Sequence, residues 1–76
     1  MSDRVPIPET DFVHGLQRVH RDGKPRWRND DGSRLYEWDT LHGHFEVYNK
    51  RGRHLAVFDA DGKTIGEAVA GRCINV

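Results

Sequence analysis

Asp22-Gly23, Asp31-Gly32, Arg51-Gly52 and Asp61-Gly62 are turn-forming pairs, and with a further bend at Gly43 they cut the chain into runs of about ten residues. Spacing of about ten residues between turn signals is what a meander of antiparallel strands gives. The expected fold is mainly β (α+β): a single small domain with a strongly twisted antiparallel sheet of about five strands. Asn49-Lys50-Arg51-Gly52 is a suitable tight linker for one hairpin. Residues 1–22 read as an N-terminal arm or short helix, and residues 23–76 as the sheet core of the same domain. Pro6 and Pro8 favour extended chain at the start. Thr10 or Asp11 is placed to cap a short helix with Phe12, Leu16 and Val19 along one side, although Gly15 weakens it.

Side chains alternate across a strand, so each run can be sorted into two faces. Tyr36 and Trp38 point one way; Leu35, Glu37 and Asp39 point the other. Phe45 and Val47 share a face, with His44, Glu46 and Tyr48 opposite. In the next run Leu55 and Val57 match the apolar set, with His54, Ala56 and Phe58 opposite. The expected sheet therefore packs one face on the N-terminal segment. Its other face carries Asp39, Glu46, one or two histidines and Tyr48.

With 76 residues and 36% hydrophobic content, a second domain has no room and the core must be small. A lone cysteine, Cys73, excludes an internal disulfide and a multi-thiolate zinc site, and reads as a small packing residue. No apolar run approaches a membrane span, and Met1-Ser-Asp-Arg-Val-Pro has no signal-peptide core. A soluble cytoplasmic protein without membrane contact is expected. Twelve basic residues balance twelve acidic ones, which disfavours indiscriminate nucleic-acid binding. The charges are nonetheless segregated. Arg18, Arg21, Lys24, Arg26 and Arg28 face only Asp22 in their stretch, and Lys50-Arg51-Gly52-Arg53-His54 contains no acid. A positive surface beside a carboxylate-lined site is one reading of that pattern; a mixed solvated surface is the other.

Asp39, His42 and Glu46 fall close together on two neighbouring strands and the bend joining them. A base, an acid and a cation are what RNA cleavage by internal transesterification requires. A carboxylate next to a histidine favours the charged ring, which can donate a proton. Arg72 is the isolated candidate for the cation. The same residues can also form a surface salt-bridge network. His42-x-His44-x-Glu46 permits a metal reading too, but His42 belongs to the bend rather than the strand, and no metal or other cofactor is expected.

Arg26-Trp27, Tyr36-Glu37-Trp38-Asp39, His42-Gly43, Glu46, Tyr48, His54-Leu55, Phe58-Asp59, Gly62 and Gly71-Arg72 occur in one order and spacing. In that pattern the chain resembles the cytotoxic ribonuclease domain of the ribosome-inactivating colicins of the E-three type, with cloacin and some pyocins. The resemblance covers roughly the last fifty residues and is carried by several motifs together. It implies a toxin endoribonuclease that cuts small-subunit ribosomal RNA at the decoding A site without a metal, leaving a cyclic phosphate and a 5′-hydroxyl. Carried over by residue, it implies Glu46 as general base, His42 as general acid, Asp39 orienting or charging His42, and Arg72 stabilising the phosphate. His54 matches a family histidine with a supporting role; Tyr48 and His44 are further supporting candidates, and Lys24, Arg26, Arg28, Lys50, Arg51 and Arg53, from the basic stretches, are candidate RNA contacts.

Tyr36 and Trp38 read as core aromatics. Trp27 is open between packing and base stacking. His44 stands where the usual family pattern has an acid, and the family domain is strongly basic where this chain is neutral. Weaker, less salt-dependent ribosome binding is therefore expected. A stand-alone toxin and an excised toxin domain both fit the start at Met1-Ser-Asp. Either implies a cognate immunity protein or antitoxin, acidic and covering the Lys50–His54 turn and the basic stretch at 18–28. The alternatives are a non-catalytic RNA- or protein-binding module, or a ribonuclease acting on tRNA or mRNA.

Overall fold

The computed structural model describes residues 4–76; Met1, Ser2 and Asp3, the start of the expected arm, lie outside the described residues. One helical turn, α1 (Asp11–His14), precedes six strands: β1 (Gln17–Val19), β2 (Arg26–Arg28), β3 (Arg34–Asp39), β4 (His44–Asn49), β5 (His54–Phe58) and β6 (Thr64–Glu67). They form one open sheet in sequence order, every neighbour antiparallel. The mainly β reading holds, with six strands instead of about five. β1 is a strand that alternation does not reveal: it is three residues long and mostly exposed. Its Arg18 guanidinium lies 4.8 Å from the centre of the Trp27 ring on β2.

Val13, Trp27, Tyr36, Trp38, Phe45, Val47 and Phe58 make the core on one face of the sheet. Phe45 is fully buried at its centre. The Trp27 and Trp38 rings meet Phe45 edge-on, at 5.6 and 4.7 Å between centroids, the favoured arrangement for aromatic pairs. Trp27 is thus a packing residue. Phe12 covers Tyr36, Phe45 and Phe58 from outside, and Leu16 packs beside it. Thr10 caps the helical turn as expected. Its hydroxyl accepts from Val13 N–H and donates to the Ala60 carbonyl, which ties α1 to the turn after β5. The arm is fixed at the far end by Trp38 Nε1–H donating to the Val5 carbonyl. No helix among the described residues is long and apolar enough to cross a membrane.

On β3 and β4 the two faces are those expected from alternation. On β5 they are not. Ala56 and Phe58 join the core face, Val57 faces the opposite side, and Leu55 is exposed. The cause is a register shift at Val47/Tyr48: Val47 pairs with Ala56, but Tyr48 pairs with His54, so Leu55 is the extra residue of a bulge. The bulge keeps His54 on the Tyr48 side while it reverses the faces beyond it.

Candidate active site

Antiparallel pairing sets acids opposite one another on the face away from the core. Glu37 lies opposite Glu46 and Asp39 opposite His44 across β3 and β4. Two carboxylates directly opposed on a sheet repel unless cations flank them, and here cations stand on both sides. Arg26, opposite Glu37 on β2, binds Glu37 Oε2 through Nε (3.0 Å) and Nη2 (2.7 Å). Arg72 Nη1 donates to Glu46 Oε1 at 2.6 Å.

His54 Nε2 lies 3.0 Å from Glu46 Oε2, while its Nδ1 accepts the Val69 backbone N–H at 2.9 Å. A nitrogen that accepts a hydrogen bond carries no hydrogen, so these two contacts assign His54 the neutral tautomer with the proton on Nε2. Glu46 therefore receives one donor on each oxygen. A carboxylate has about four acceptor positions, so lone pairs remain free for a third partner.

The second half of the site is the turn between β3 and β4. Asp39 Oδ1 accepts the backbone N–H of Leu41 (2.9 Å) and His42 (3.2 Å), and Oδ2 meets His42 Nδ1 at 2.7 Å. Burial raises the Asp39 pKa, but the hydrogen bonds from the His42 ring and from the His42 and Leu41 backbones outweigh it and hold the value to about 2. Gly43 completes the turn at φ 69°, donating its N–H to the Asp39 carbonyl at 2.8 Å; a Cβ there would press on Val5. The His42 side chain is 62% exposed and its Nε2 is free of Asp39. The His44 ring stacks on it, 5.5 Å between centroids.

Arg72 reaches Glu46 because the chain after β6 returns along β5. His54 N–H donates to the Arg72 carbonyl, Arg53 bridges to Cys73, and Ile74 N–H donates to the Gly52 carbonyl. Cys73 is exposed in this segment instead of packed inside. Lys24, Asp39, His42, His44, Glu46, Tyr48, Val57 and Arg72 line one cleft of about 540 Å³. Burial, then the charges of Glu37 and Glu46, raise the Tyr48 pKa, so its hydroxyl stays protonated.

The cleft brings together Asp39, His42, Glu46 and Arg72, with His44, Tyr48 and Lys24 on its wall and His54 beneath. The other basic candidates are placed differently. Arg26 is 4% exposed and committed to Glu37 and to the Asn75 carbonyl, so it belongs to the sheet and not to a free positive surface. Arg28 leans back toward the Asp30 carbonyl. Lys50 and Arg51 line a separate depression at the β4–β5 turn, at the opposite end of β4 from His42, and Arg53 borders a pocket behind His54. Glu37 is the residue that reading the sequence for chemistry overlooks. Its position opposite Glu46 follows from the β3–β4 register, and that register was the available signal.

A model of the family described as Cytotoxic matches residues 5–75. Similar curated proteins include colicin-E6 and cloacin of Escherichia coli, each 36% identical over 70 residues, and colicin E3 of the same organism, 36% identical over 69. Each alignment takes in 75% of this chain and 12% of the relative, so the chain spans about an eighth of the length of these proteins.

Proposed function

The chain belongs to the Cytotoxic family, and from that premise we propose that it is a toxin endoribonuclease that cleaves small-subunit ribosomal RNA at the decoding A site by metal-independent transesterification. The observation that carries the reading is the single cleft in which Glu46, bound by Arg72, stands beside the Asp39–His42 pair.

In the proposed reaction, Glu46 takes the proton of a ribose 2′-hydroxyl as that oxygen attacks the adjacent phosphorus. Arg72, already directed at Glu46, moves its remaining N–H donors onto the phosphorane oxygens, where charge accumulates. His42 Nε2–H protonates the departing 5′-oxygen. A 2′,3′-cyclic phosphate and a 5′-hydroxyl result. Asp39 orients His42 by holding Nδ1 and balances the charge of the ring that donates. His54 is a positioning residue: it is buried, touches Glu46 and keeps the carboxylate turned into the cleft. Lys24, at the cleft mouth, is suited to a flanking phosphate.

A producing cell needs an inhibitor for such an activity. An acidic immunity protein or antitoxin is proposed, with the exposed Lys50, Arg51 and Arg53 as its docking charges.

The test is to incubate purified ribosomes with the chain and map the ends of the recovered RNA. One new 5′-hydroxyl end at the decoding site, formed by chain stripped of metal beforehand, is expected. Ribosome binding with no new end would replace the proposal by a non-catalytic binding module. New ends confined to tRNA or mRNA would move the target.

A further inference from the structure

His44 Nε2 is buried and has no hydrogen-bond partner. Leaving such a nitrogen unbonded is costly, and its surroundings are not apolar. It faces Asp39 Oδ2 at 3.6 Å and Glu46 Oε1 at 3.8 Å, too far for direct hydrogen bonds. These separations have another meaning. Two ligands held about 2.1 Å from a tetrahedral zinc lie about 3.4 Å apart. One donor atom each from Asp39, His42 and His44 falls within 4.8 Å of the others. Mixed imidazole and carboxylate donors suit zinc-like ions, whereas magnesium and calcium favour all-oxygen sets.

We propose that Asp39, His42 and His44 form a site for a zinc-class transition ion, and that the bound ion silences the cleft by withdrawing His42. The second half rests on the nuclease reading above; the first does not. The ion enters between His44 Nε2 and Asp39 Oδ2, the pair whose spacing already fits. His42 must then turn. Its ring is stacked on His44 with 12° between planes, and an ion lies in the plane of each imidazole it binds, so two parallel rings cannot share one. His44 is held on β4, but His42 sits on the turn with its side chain 62% exposed and is free to rotate. Rotation replaces the Asp39–His42 hydrogen bond by two bonds to the ion and removes the proton donor from the cleft. Arg72 stays on Glu46 Oε1 and disfavours Glu46 as a further ligand, which leaves the fourth position to water.

Zinc chloride titrated calorimetrically into the full chain, in chelator-stripped buffer without RNA, reads the site directly. One ion per chain is expected. Loss of a ligand should cost at least the roughly tenfold typical of outer-shell changes, both in His44→Gln and in His42→Gln, the latter at an exposed position where the parent fold is expected. His14→Gln/His20→Gln, exposed and remote, should bind as the parent does. No binding, or binding retained in both single variants, would overturn the site. With RNA added, zinc should suppress cleavage and excess EDTA restore it; undiminished cleavage by zinc-saturated protein would overturn the silencing. If zinc-free protein cuts no RNA, the nuclease reading fails and silencing with it, while the calorimetry still decides the metal site.

Discussion

Glu46 Oε1 and Arg72 Nη1 are 2.6 Å apart, although the residues lie 26 positions apart in the chain and Arg72 lies on no regular element. The contact joins a buried strand carboxylate to a guanidinium whose side chain is 45% exposed. Such a pair contributes little to stability, because nearly half of the Arg72 side chain is in water. Its place at the cleft makes it important for the proposed chemistry instead.

Arg72→Ala should therefore separate activity from folding. Removal of one donor to a developing oxyanion slows an enzyme about 10²- to 10³-fold, and that loss is expected in single-turnover cleavage of ribosomal RNA. The thermal midpoint should stay close to the parent's. A variant that melts early and cleaves normally would assign Arg72 to the fold.

Glu46→Gln preserves shape and the hydrogen bond from His54 but removes the basic group and the oxygen that accepts from Arg72. Cleavage should fall at least as far as in Arg72→Ala, with near-parental stability, because the amide oxygen can still accept from His54. Glu46→Ala should also destabilise by about 1–3 kcal/mol, since it strips buried His54 of its partner. Urea unfolding of the two variants side by side reads the difference.

Asp39 gives a pH dependence of definite sign. Its folded pKa is depressed from 3.8 to about 2, so its charged contacts contribute fully above the unfolded value. They are lost as pH falls through the folded one. Asp39→Asn should lower the melting temperature at neutral pH, and the gap to the parent should close between about pH 4 and pH 2. A gap that persists unchanged at pH 2 would mean that the carboxylate charge is not what holds the turn.

Arg26 and Lys24, two residues apart, should behave oppositely. Arg26→Ala leaves Glu37 buried, charged and beside Glu46; breaking a buried pair in this way costs about 3–5 kcal/mol. Lys24→Ala should leave stability unchanged, weaken ribosome binding and reduce its salt dependence. Equal melting temperatures for the two variants would contradict the assignment of Arg26 to the sheet.

That contrast marks where the sequence stops being legible. Period-two alternation places Asp39 and Glu46 on one face and Tyr36, Trp38 and Phe45 on the other, because β3 and β4 pair without interruption over six residues. The same reasoning fails on β5. The bulge at Leu55 inserts a residue without a distinctive residue type, so Phe58 and Val57 exchange faces. Arg26 reads like its basic neighbours until the β2–β3 register puts Glu37 across from it. Arg72 stands out in the sequence as an isolated cation and by family pattern, but its approach to Glu46 depends on an irregular tail held by backbone contacts and is not legible there.

Gly52 is where that tail is most easily disturbed. It has φ 86°, and a Cβ would collide with the Ile74 carbonyl oxygen, a backbone atom that cannot swing aside like a side chain. Gly52→Ala should therefore push the segment from Arg72 to Ile74 away from β5 and carry the guanidinium off Glu46. Gly23, at φ 97° with nothing near its Cβ position, supplies the control: Gly23→Ala has comparable backbone strain and no collision. Both should lose about 1 kcal/mol from the left-handed conformation, or about 4–8 °C in a domain of this size. Gly52→Ala should lose more, and at a temperature where both variants are folded it alone should approach the cleavage defect of Arg72→Ala. If the two glycine variants cut RNA at the same rate, the tail does not position Arg72, and the cleft must be completed by another cation.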